Sequence, residues 1–297
     1  MKTVAVKGLF EGIVRLLGLD PGTASLTARE KAEIAELVND RVADAYRAEW
    51  WPDLMTVEQR RWRPTYDAAV TYATEEEVFF TGGDGSEKYY RSLVDGNLGH
   101  EPDPDGDTAY WHVILADDDF EAYIEFEQDG ETEIGDVDVE ACLFNEDPRL
   151  YPRLSALGPT VIENGKIVLL AGAVPTQPWV RFRPVAPEFS WTDWSSGTEY
   201  AVGDLVYVAT YGATTVGQTF KAIASSTNKN PYTETGYWEP VDFPDKFRTY
   251  VKHAVRGDKE TEAEGRGRWM ARAEEEMERL RDELVQARGL RRAEFRR

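Results

Sequence analysis

Trp194-Ser-Ser-Gly-Thr-Glu-Tyr200-Ala-Val-Gly203-Asp204-Leu-Val206, followed by Phe220-Lys-Ala-Ile223, Pro231 and Tyr237-Trp238, has a counterpart earlier in the same chain. There Tyr66 is followed by Tyr72, Val78, Tyr90-Arg-Ser-Leu93, Pro104 and Tyr110-Trp111. In both stretches six residues lead from the first aromatic to the Tyr and seven from the Pro to the Trp, and the two stretches lie about 128 residues apart. Rare residue types recurring in one order at matched spacing predict a duplicated module. Each copy has only about 45 to 50 residues, too few for a large aliphatic core, so aromatic rings have to supply the buried area.

Outside the copies the hydrophobic period changes. A short helix is predicted over Lys7 to Leu17, where Phe10, Ile13, Val14 and Leu17 recur at helical spacing before Asp20-Pro21-Gly22. Thr27 and Glu30 then make a capping-box pattern, and Ile34, Leu37, Val38, Val42, Ala45 and Tyr46 build one apolar face up to Trp50-Trp51-Pro52. From Trp62 to Val241 the chain reads as short β-rich runs, among them Tyr123-Ile-Glu-Phe126, Lys166-Ile-Val-Leu-Leu170 and Trp179-Val-Arg-Phe-Arg183, with Asn164-Gly165 as a hairpin turn. After Phe243-Pro244-Asp245 the pattern is helical again. Phe247, Tyr250, Val251 and Ala254 share a face, and Gly257-Asp258 reads as a break. A long helix from about Lys259 to Arg288 carries Trp269, Ala273, Met277, Leu280 and Leu284 as a narrow packing stripe before a stop at Gly289. The expected fold class is α+β. A helical segment (1–58), the first repeat (59–115), a β-rich middle (116–189), the second repeat (190–241) and a helical pair with a basic tail (242–297) follow in order, with the helical ends packing together.

The 297 residues are 41% hydrophobic and 12% aromatic, with nine Trp, a composition rich enough in core formers to fold. The formal charge of -21 argues against an electrostatic grip on DNA or an anionic membrane. That charge is uneven: Ser92 to Pro148 holds 19 Asp and Glu and no Lys or Arg, whereas the last ten residues hold Arg288, Arg291, Arg292, Arg296 and Arg297 around Phe295. Cys142 is the one cysteine, which excludes a disulfide framework and a Cys-rich zinc site. Lys7, Glu11 and Arg15 interrupt the first apolar stretch, so neither a signal segment nor a membrane span is expected there, and synthesis in a reducing cytoplasm is.

Catalytic signatures are missing from the sequence. His100, His112 and His253 lack ligand spacing, and no nucleophile elbow, dinucleotide fingerprint or phosphate loop occurs. Asp103-Pro-Asp105-Gly-Asp107 resembles the opening of a calcium loop, but Ile114 stands where the closing Glu belongs, and a turn is the preferred reading. No enzyme activity, metal or cofactor is expected.

Two resemblances follow from these residues. The second copy, with Trp194, Tyr200-x-x-Gly203-Asp204-x-Val206, Phe220-Lys-Ala222 and Trp238, resembles the chitin-binding type 3 carbohydrate-binding modules. That resemblance implies a small β-fold, with Trp194, Tyr200, Tyr237 and Trp238 as the glycan surface if one exists. The positions just after Lys-Ala, where that family stacks sugars, hold Ala224, Ser225 and Ser226 here, and the first copy has Glu75-Glu76 in place of Gly-Asp. The chain as a whole is similar to the head-to-tail connector (adaptor) proteins of tailed bacteriophages. An amphipathic helix ending in Trp51-Pro52, a β-rich middle with Ile134-Gly135 and Asp147-Pro148-Arg149, and a closing helical pair from Phe247-Arg-Thr-Tyr250 carry that likeness. It implies a virion neck protein made in the host cytoplasm: a homo-oligomeric ring, commonly of twelve, with the portal above and tail or neck proteins below. DNA would then be passing cargo only, and no membrane would be involved. Arg288, Arg291, Arg292, Phe295, Arg296 and Arg297 would dock on a partner. A glycan-binding protein is the alternative, and a hydrolase would need a catalytic domain in the roughly 75 residues between the copies.

Overall fold

A computed structural model describes residues 2–19, 26–103, 106, 108–114, 120–127, 132–150, 155–171, 174–175 and 177–294, with side chains to residue 286. The chain is mixed α and β, with four α-helices and many small antiparallel sheets among the described residues. It divides into two compact units, one made of residues 1–53 and 186–297 and the other of residues 54–185. The first unit is discontinuous, so the second is an insertion within its sequence.

In the discontinuous unit helix α1 spans Lys7–Leu16 and buries Leu9, Phe10, Ile13 and Val14. Helix α2, Ala28–Ala48, starts at a capping box: the Thr27 hydroxyl accepts the Glu30 N–H, and the Glu30 carboxylate accepts the Thr27 N–H at 2.8 Å. Its buried face is Ile34, Ala35, Val38, Val42, Ala45 and Tyr46. Just past its end the Trp51 indole N–H donates to the Ala45 carbonyl at 2.8 Å, one of the helix's last free acceptors. Helix α3 is Arg248–Lys259 and α4 is Ala263–Glu294.

Gly257 and Asp258 do not break α3. The Asp258 carboxylate takes the Arg41 guanidinium through two hydrogen bonds, 2.8 and 2.6 Å, and the missing side chain of Gly257 leaves room for Met270, whose Sδ would lie 2.8 Å from an added Cβ. Nor does Gly289 end α4, which continues to Glu294. A lone glycine costs a helix about 1 kcal/mol, and Ala287, Arg288, Leu290, Arg291 and Arg292 around it are good helix formers. Around Phe247 the rings of Tyr46 and Trp51 pack at 5.9 and 5.5 Å. Phe247, Val251, Ala254, Val255, Ala273, Met277 and Leu280 are buried.

The same unit holds a β-module whose strands Leu205–Tyr211, Thr214–Ala222 and Trp238–Val241 form one antiparallel sheet, with Glu199–Tyr200 paired to Ser226–Thr227 beside it. Phe10 of α1 stacks on Trp191 at 4.4 Å and meets the edge of Tyr207 at 6.1 Å, so α1 is seated on this module.

In the inserted unit, strands Glu77–Thr81, Glu87–Ser92 and Trp111–Ile114 form a sheet of the same order, with Thr71–Tyr72 paired to Asn97–Leu98. The rest of that unit centres on strand Trp179–Pro184, which pairs antiparallel with Thr56–Gln59, Leu143–Phe144 and Ile134–Val137. A second sheet joins Thr160–Glu163, Lys166–Leu169 and Tyr123–Glu125. Its hairpin turns at Asn164 and Gly165, with φ of 49° and 73°, the left-handed pair that a two-residue loop requires. Trp62, Ile124, Ile134, Cys142, Leu143, Ile167, Val180 and Phe182 form the buried core.

Candidate functional site

The aromatic residues of the two modules are the first candidates. In the discontinuous unit Tyr200 and Trp238 are 8% and 1% exposed and pack with Val206, Val208, Phe220 and Ala222, while Trp194 and Tyr237 lie partly buried against that cluster. In the inserted unit Tyr72, Val78, Tyr90, Trp111 and Val113 are buried together, with Tyr66 against them. Tyr200 meets Trp238 edge-on at 5.2 Å, and Tyr72 meets Trp111 edge-on at 5.3 Å. A sugar ring stacks on an open aromatic face, and Tyr200 and Trp238 offer none. Burial corrects their assignment to a glycan surface, for the physical reason that modules this small have little else from which to make a core.

The polar contacts of the two modules also correspond. The Asp67 N–H donates to the Tyr72 hydroxyl at 2.7 Å, and the Ser195 N–H donates to the Tyr200 hydroxyl at 2.9 Å. The Trp111 indole N–H donates to the His100 carbonyl at 2.5 Å, and that of Trp238 to the Lys229 carbonyl at 3.1 Å. Glu76 accepts the Ala73 N–H and Asp204 accepts the Ala201 N–H, both at 2.8 Å, so Glu76 takes the place of the Asp that the sequence lacks. Glu75 and Gly203 each bridge to the strand end, donating to Ser92 and Ala222 at 2.9 and 2.8 Å. Both carry a left-handed φ, 72° for Glu75 and 93° for Gly203. A side chain in that region costs roughly 1–2 kcal/mol. Gly203→Ala, with open space around its would-be Cβ, is therefore expected to destabilise the module by about 1 kcal/mol through backbone strain alone. Urea unfolding checks this.

Of the rings that face solvent, the repeat singles out Tyr110 but not Tyr211 or Tyr232. Tyr211 and Tyr232, each 43% exposed, lie 5.4 Å apart. Tyr110 stacks flat on His100 at 3.4 Å. A place at a strand end for Tyr211 and in loops for Tyr232 and Tyr110 decides their exposure, and only the fold reveals it.

Two charged constellations went unseen in the sequence. Arg63, 1% exposed, donates to Glu77 at 2.6 Å and to the carbonyls of Trp62 and Glu121 at 2.8 and 2.7 Å, with its guanidinium 3.4 Å over the Tyr123 ring. Arg91 holds the other Glu77 oxygen at 2.9 and 2.7 Å. The second constellation lies between α3 and α4. The guanidinium groups of Arg272, Arg256 and Arg268 lie 4.8, 5.8 and 5.8 Å from the Trp269 ring centroid, with the His253 ring at 5.6 Å. Burial pushes the His253 imidazole below its ordinary pKa, so it holds a proton less readily than an exposed histidine does. A Trp-x-x-Arg spacing, which sets Arg272 on the same helix face as Trp269, is the signal that could have found it.

The remaining sequence candidates separate from these. Cys142 is buried, its thiol pushed upward by burial, as suits an inert core thiol. Asp105 and Asp107 of the calcium-like loop lie outside the described residues, and no cluster of metal-binding side chains occurs among those described. Phe295, Arg296 and Arg297 also lie outside them. Arg288, Arg291 and Arg292 are on the described backbone of α4, their side chains beyond the described set. No described helix is long and apolar enough to cross a membrane. No protein-family model, curated protein or solved structure matches this chain.

Proposed function

We propose that this chain is a structural virion protein, a subunit of the head-to-tail connector ring that joins the portal to the tail of a tailed bacteriophage. On this reading the two β-modules are copies of one ancestral unit used as spacers, and the helices from the two ends of the chain form the layer through which subunits meet. The observation that carries the reading is the placement of the module aromatics: Trp111 and Trp238 are 0% and 1% exposed, which suits a structural module better than a sugar-stacking one. The helical stripe adds support: Ala273, Met277 and Leu280 of α4 are buried, while Leu284, the next residue on that stripe, is only partly so. The 32 residues of α4 give a rod of about 48 Å, long enough to reach a neighbouring subunit.

In the channel of such a ring, an acidic wall without Lys or Arg would release no counterions from passing DNA and so would not hold it. Negative-stain images of the protein mixed with its portal test the proposal. Closed rings stacked coaxially on the portal are expected, and free particles with undecorated portals would count against it. One observation favours a glycan-binding reading instead, the solvent-facing Tyr211 and Tyr232 pair. Retention of the chain on insoluble chitin, lost in Tyr211→Ala with Tyr232→Ala, would move the assignment to that class.

A further inference from the structure

Between Lys246 and Arg272 the sequence carries eight Lys and Arg against four Asp and Glu, a local excess of positive charge in a chain of net charge -21. Several of these cations are already engaged: Arg248 pairs with Asp245, Arg256 with Glu260 and Lys259 with Glu33. Arg268 and Arg272 are different. Both are exposed, and neither has a carboxylate within 4.0 Å among the described residues, although Glu274, Glu275 and Glu276 follow directly on the same helix. The Arg272 guanidinium carbon lies 4.8 Å from the Trp269 ring centroid and that of Arg268 5.8 Å. A cation resting near the indole is partly ordered while its N–H fork stays open, which lowers the cost of taking a carboxylate through paired hydrogen bonds. The Trp269 indole N–H is buried and has no acceptor among the described residues.

We propose that this Trp269-centred basic patch is the docking surface for exposed Glu121, Glu133, Glu140 and Glu146 in the acidic segment 92–148 of a second copy of the chain. Charge complementarity selects that occupant: the segment carries 19 Asp and Glu with no Lys or Arg. Of its described acids, Glu121, Glu133, Glu140 and Glu146 are exposed and have no cation within 4.0 Å among the described residues. A duplex fits the same patch less well, because two exposed arginines are too few to track a phosphate backbone. Patch and segment are different surfaces of one chain, so the contact is heterologous, the kind that closes into a ring when the rotation between subunits allows. The inference deepens the connector reading and rests on it.

Mass photometry of the full chain over a concentration series tests both and separates them. R268E with R272E is expected to leave melting unchanged and to raise the concentration for half-assembly by more than about tenfold. E121K, E133K, E140K and E146K together are expected to do the same, and the chain carrying both sets is expected to regain assembly. Wild-type assembly by R268E/R272E would overturn the patch while leaving the ring standing, and so would dispersal of that variant without rescue by the four lysines. A wild type that stays monomeric alone and with the portal would overturn both. Binding of a labelled duplex by the wild type, lost in R268E/R272E, would reassign the patch to nucleic acid.

Discussion

Trp238→Ala is expected to cost about 3 to 5 kcal/mol and to unfold the second module. The indole is 1% exposed, meets Tyr200 edge-on at 5.2 Å and donates to the Lys229 carbonyl. Removing it leaves a cavity among Val206, Val208, Phe220 and Ala222, in a cluster too small to close over it, and leaves a carbonyl without its donor. Trp111→Ala should act the same way in the first module, where Tyr66 and Tyr72 both meet the indole edge-on at 5.8 and 5.3 Å. Trp→Phe at either site retains most of the buried area and should cost less than half as much. Amide hydrogen exchange resolves the losses by module, because each variant should deprotect its own strands first. Unchanged exchange and melting together with lost chitin retention would mean that these rings serve a ligand and not a core.

The second large effect is expected at Glu77. Glu77→Ala leaves Arg63 buried without its anion, and removing one partner of a buried ion pair typically costs about 3 to 5 kcal/mol. Arg63 cannot move to water easily, because the carbonyls of Trp62 and Glu121 and the faces of Tyr123 and Phe120 hold it in place. Arg91 is the more exposed of the two arginines and can re-solvate, so Arg91→Ala should cost much less. Replacing Arg63 and Glu77 together by Met and Leu should cost less than the single change, since no uncompensated charge remains. Guanidinium unfolding of these three variants beside the wild type makes the comparison. A Glu77→Ala loss under about 1 kcal/mol would show that the pair does not hold the first module in its unit.

What could be read from the sequence was local. The Thr27 capping box, the Asn164-Gly165 turn and the apolar face of α2 each follow from residues within a few positions of one another, and each has its place in the structure. Each of the two aromatic-rich stretches holds a three-stranded sheet and a short strand pair. The order of aromatics could not separate the buried Trp238 from the exposed Tyr232, since exposure depends on how strands and loops close over each ring. Gly257-Asp258 looked like a break because its helical partners are distant in sequence: Arg41 lies 217 residues from Asp258. Pairs such as Arg63 with Glu77 obey no period and become neighbours only across a sheet edge. Trp269 was visible as part of a packing stripe. Its arginines read as a solvated outer face, and their distances to the ring, 4.8 Å for Arg272 and 5.8 Å for Arg268, came only with the fold.

The mass of the particle that this chain forms tests the structural reading most directly. Mass photometry and light scattering at micromolar protein, alone and with the portal, should show a single closed oligomer of defined subunit number, formed by the chain itself or on the portal. A strict monomer under both conditions would contradict the account.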